Sequence, residues 1–112
     1  MNKIDEKYFK KACFLAIHNQ IIEYLKDSFL KQNKWQQDKN IEYVAEYYAK
    51  LRLILLPDSE ILKKRIKDAI LEEIRFVSFA NIEDLDSQDS QTVIKSFFDI
   101  IHKTAMGVID KC

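Results

Sequence analysis

From Phe9 to Phe29 an apolar side chain returns every fourth residue, at Phe9, Cys13, Ile17, Ile21, Leu25 and Phe29, and Ala12, Ala16 and Tyr24 widen the stripe. Steps of three and four keep side chains on one face of a helix, whereas a half-buried strand needs alternation. Similar stripes recur along the rest of the chain, and one glycine and one proline in 112 residues supply little of the turn chemistry that hairpins need. The expectation is all-α: one domain over residues 1–112, with four main helices in an antiparallel bundle or a compact orthogonal array. A chain of this length buries roughly two thirds of its unfolded surface, so neither a metal nor a disulfide is needed for folding.

The first helix is expected from about Asp5 to Leu30. Periodicity is lost over Lys31-Gln32-Asn33-Lys34-Trp35-Gln36-Gln37, which reads as a connection closed by Asp38 or Asn40 as an N-cap. Ile41, Val44, Ala45, Tyr48, Leu51 and Leu55 mark a second helix stopped by Pro57. Asp58, Ser59 and Glu60 then supply a cap and a first-turn acid for a third helix, with its stripe at Leu62, Ile66, Ala69, Ile70, Glu73 and Val77. Residues 81–91 read as an acidic loop, after which Asp89 or Ser90 caps a fourth helix. Its stripe of Ile94, Phe97, Phe98, Ile101, Ala105, Val108 and Ile109 is the most regular in the chain.

Eighteen basic and eighteen acidic side chains cancel, so no whole-molecule field concentrates nucleic acid or an anionic membrane. The charge is uneven, however: residues 1–40 carry eight bases and five acids, and residues 81–112 carry three and six. The first seven residues lead into no apolar core, and apolar runs such as Leu53-Ile54-Leu55-Leu56 are far short of a membrane span. Cys13 and Cys112 fit neither a disulfide framework nor a zinc spacing. A cytoplasmic chain without a secretory signal or membrane segment is the expectation, with Cys13 as a small core filler.

Residues with catalytic potential are sparse. Asp99 and His102 share a helix face through their three-residue spacing, but no second copy completes a metal-ligand set. They read as a surface pair. Cys13 and His18 project about 140° apart on one helix and cannot pair locally. A single glycine precludes a glycine-rich phosphate loop. No enzymatic activity, cofactor or metal site is therefore expected.

Candidate binding residues fall in three places. The acidic segment carries Glu83, Asp84, Asp86 and Asp89 without a balancing base. Tyr43 and Tyr47 lie four residues apart beside the core position of Tyr48, and Trp35 precedes them; partly exposed aromatics of this kind serve as anchors at protein interfaces. Lys63-Lys64-Arg65 with Lys67 forms the one basic run, though Glu60, Asp68, Glu72 and Glu73 should cancel most of its field.

The functional expectation is a small non-enzymatic protein that binds another protein, in the manner of an immunity protein or antitoxin neutralising a cognate toxin, a nuclease among the candidates. An acidic segment suits the basic active site of such a target. The alternative is a nucleic-acid-associated regulator using the Lys63–Lys67 helix, and Trp35, Tyr43 and Tyr47 would serve a homodimer equally well.

Overall fold

The computed structural model describes residues 3–29, 34–52, 59–75 and 88–111. They form four helices, α1 (Lys3–Phe29), α2 (Lys34–Arg52), α3 (Ser59–Ile74) and α4 (Gln88–Asp110), with no strand among the described residues. No helix among them is long and apolar enough to cross a membrane.

The stripes become the core. Cys13, Ile17, Ile21 and Leu25 from α1 meet Ile41, Val44, Ala45 and Tyr48 from α2, all of them buried. Leu62, Ile66, Ile70 and Ile74 come from α3, and Ile94, Phe97, Phe98, Ile101, Ala105 and Ile109 from α4. Each helix thus surrenders one face to a shared interior, which is what holds helices of marginal intrinsic stability in place.

Helix directions follow from cross-helix partners. Asn40 in α2 meets Asp27 near the end of α1, whereas Tyr47 reaches Ala12 nearer its start, so these helices run antiparallel. Gln37 and Asp38 at the start of α2 lie beside Leu71 and Arg75 at the end of α3, which makes that pair antiparallel as well. Thr104, Gly107 and Lys111 in the second half of α4 line a groove with Ala69, Glu72 and Glu73 in the second half of α3. The middle turns of α4 meet α1 and α2 through Phe97, Phe98 and His102. α4 thus packs along α3 and touches α1 and α2 less extensively, through those turns.

Two expected connections are shorter than the sequence suggested. α2 begins at Lys34, so Trp35 is helical, and Asn40 is no N-cap but a buried residue within the helix. Gln36, Gln37 and Asp38 hid this start because a first turn without an apolar stripe reads as a connection. Likewise, α4 begins at Gln88, which places Asp89 and Ser90 inside the helix instead of at its cap and ends the loop earlier than Gln91. The Thr92 hydroxyl donates to the Gln88 carbonyl at 3.2 Å across this first turn.

Asp27 and Asn40 are 5% and 4% exposed, and the Asn40 amide donates to the Asp27 carboxylate at 2.8 Å. This bond ties the end of α1 to α2 and satisfies both groups away from water. Asn40→Ala is expected to cost about 2 kcal/mol, because it strands a buried carboxylate without that donor. Urea unfolding followed by circular dichroism measures the loss. Replacing both residues with Leu should cost less than the single change, since no charge then remains to desolvate.

Gly107 lies within α4, and a Cβ added there would meet nothing within 4 Å. Gly107→Ala should therefore stabilise the chain by roughly 0.5–1 kcal/mol through helix propensity. A thermal melt should show a Tm higher by a few degrees.

Candidate functional site

The outer face of α2 carries the aromatic candidates. Trp35, Lys39, Tyr43 and Tyr47 are spaced by four, and each step turns about 40° around the helix. The stripe consequently drifts from the α3 side of α2 towards α1. Trp35 is 62% exposed and Tyr43 is 47% exposed, and the Lys39 ammonium lies 4.8 Å from the centre of the Trp35 ring. That cation over the indole face restrains a side chain that the helix alone would leave free. Trp35 and Tyr43 stand about 12 Å apart along the helix axis.

By the fourth position the drift has carried the stripe into the α1 contact. Tyr47 is half-buried, packs edge-on against Tyr48 at 6.4 Å, and its hydroxyl donates a long bond of 3.4 Å to the Ala12 carbonyl. Burial raises the Tyr47 pKa, with a further contribution from Cys13. The three aromatic candidates are thus divided. Trp35 and Tyr43 present their rings to solvent, while Tyr47 braces α2 on α1. Asp89 falls in the first turn of α4; Glu83, Asp84 and Asp86 lie outside the described residues.

The basic run on α3 is partly committed within the fold. Lys63 lies 3.1 Å from Glu60 and 3.6 Å from Glu42, and Lys67 lies 3.5 Å from the same Glu42 carboxylate. The hydrogen bond to Glu60 raises the Lys63 pKa against the opposing effect of burial, with Glu42 and Glu46 adding to the rise. Glu60 was legible as a neighbour in sequence; Glu42, which bridges two lysines from another helix, was not. Lys64 and Arg65 remain exposed.

Asp99 and His102 do not form the surface pair that their spacing suggested. Asp99 reaches across to Lys10 at 2.7 Å, and His102 turns inward, its Nδ1 2.8 Å from the hydroxyl of fully buried Tyr48. Phe9, Phe98 and Tyr48 surround the imidazole at centroid distances of 6.1, 5.5 and 5.6 Å. Burial pushes the Tyr48 pKa far above its ordinary value, with Cys13 raising it further. The hydroxyl therefore keeps its proton and serves as a structural hydrogen-bonding group instead of a ready tyrosinate. Among the described residues no group of three or more His, Cys, Asp or Glu side chains is placed to hold a metal ion.

No family model matches this chain, and no curated protein or solved structure matches it either.

Proposed function

We propose that this chain is a protein-binding protein that works by occupying a partner's surface through the outer face of α2. Neutralisation of a cognate toxin, as by an immunity protein or antitoxin, is its specific role in this reading. The supporting observation is the row of Trp35, Lys39 and Tyr43 on one helix, with both aromatic rings exposed and the indole restrained by the lysine above it. Large aromatic side chains held in place before binding lose little entropy when a partner covers them, and they commonly carry most of an interface's energy. The acidic residues Glu83, Asp84, Asp86 and Asp89 add long-range attraction to a basic target and speed encounter.

The test is growth of cells expressing the gene immediately upstream, alone and together with this one. Toxicity that co-expression relieves is the expected result. The Trp35→Ala, Tyr43→Ala double variant should accumulate normally yet fail to relieve it, because losing two anchors costs about 2 kcal/mol or more of binding. Neutralising Asp84, Asp86 and Asp89 together should weaken binding and flatten its salt dependence. Absence of toxicity, or relief that survives the double variant, would count against this reading.

A further inference from the structure

A second surface, separate from the α2 face, lies between the first half of α1 and the middle of α4. Phe14 and Phe98 form its floor, edge to face at 5.0 Å and 84°. Four lysines rim it: Lys7, Lys10 and Lys11 from α1 and Lys95 from α4. The one acid there, Asp99, is engaged by Lys10 at 2.7 Å, which bridges α1 and α4. Lys7, Lys11 and Lys95 make no ion pair among the described residues. In a chain of zero net charge, this groove of about 320 Å³ concentrates positive charge around an apolar floor.

We propose that this groove docks a short acidic segment of a partner protein, one apolar side chain entering against Phe14 while flanking carboxylates pair with Lys7, Lys11 and Lys95. Charge complementarity selects the acids, since each uncommitted ammonium offers an anion a partner without displacing one already bound. The apolar floor selects the side chain between them. The groove is open to solvent along its length, whereas a site for a small ligand encloses most of that ligand's surface. Single-stranded nucleic acid stacks successive bases on several open aromatic faces, whereas of the two rings here Phe98 is only 2% exposed, which leaves Phe14 alone. An acidic, apolar protein segment meets both requirements.

Panning a display library of random peptides, each about a dozen residues long, on the intact protein tests this directly. The expected consensus places Asp or Glu around a Leu, Ile, Met or Phe. Affinity of the most enriched peptide, measured by fluorescence anisotropy, should fall about tenfold in the Lys7→Gln, Lys11→Gln, Lys95→Gln variant and weaken with added salt. Trp35→Ala should leave it unchanged, which separates this groove from the α2 face. The three lysines are exposed, so the variant should keep the parent melting curve. A basic consensus, no consensus, or an enriched peptide indifferent to the three lysines would overturn the proposal. Binding of dodecanoate or an oligonucleotide in the groove, without any peptide binding, would overturn it equally.

Discussion

Phe97→Ala is expected to remove about 3–5 kcal/mol of stability, the largest loss foreseen for a single substitution in this chain. Phe97 is 1% exposed and stacks on Tyr24 at 5.5 Å with 17° between the ring planes, so it joins α4 to α1 across the core. Truncation leaves a cavity, strips Tyr24 of its stacking partner, and removes buried apolar area at the same time. A domain of this size is stable by roughly 5–15 kcal/mol, so the variant stands near the unfolding threshold at the lower end of that range. Guanidinium unfolding followed at 222 nm reads the effect. Phe97→Leu retains much of the volume and should lose far less; equal losses would show that the ring's bulk is not what joins the helices.

Tyr48→Phe should have a smaller effect at neutral pH, about 1–3 kcal/mol, because it removes the partner of His102 Nδ1 inside the fold. Its stronger signature comes at high pH. Burial holds the folded-state pKa of Tyr48 above the ordinary 10.0, so the folded chain keeps a proton that the unfolded chain releases. The unfolded state then binds fewer protons, and stability falls as pH rises. This contribution is intact below about pH 10 and is lost at about 1.4 kcal/mol per pH unit above it. Denaturant titrations from pH 9 to pH 11 should show the parent losing stability more steeply than the Phe variant. Tyr47 and Lys63, whose pKa values are also raised, contribute in the same direction and remain in both proteins. Their difference therefore isolates Tyr48. Identical slopes would mean that the Tyr48 hydroxyl reaches water in the folded chain.

The candidate surfaces were only partly legible beforehand. Trp35 and Tyr43 were identified by type and spacing, and both are exposed. What the sequence obscured was that Trp35 is helical, because a polar first turn resembles a loop when no apolar stripe runs through it. Tyr47 looked equivalent to Tyr43, yet the 40° drift per four residues brings it under α1. The lysine groove was invisible for another reason. Lys95 lies more than eighty residues from Lys7, Lys10 and Lys11, and only the charge excess of the first forty residues hinted at a basic surface.

Four helices and their buried faces are properties of local order: a 3.6-residue period is written in each segment, and water enforces it wherever apolar side chains recur on one side. Sequence alone therefore determined the all-α class and nearly every described core position, from Cys13 in α1 to Ile109 in α4. The tertiary structure decided which polar groups meet. Asp27 finds Asn40, Tyr48 finds His102, Lys10 finds Asp99, and Lys63 shares Glu42 with Lys67. No local pattern encodes these partnerships, because each depends on which turn of one helix faces which turn of another. That geometry is set by the packing of whole faces, and the polar groups caught between them must be satisfied wherever the packing places them.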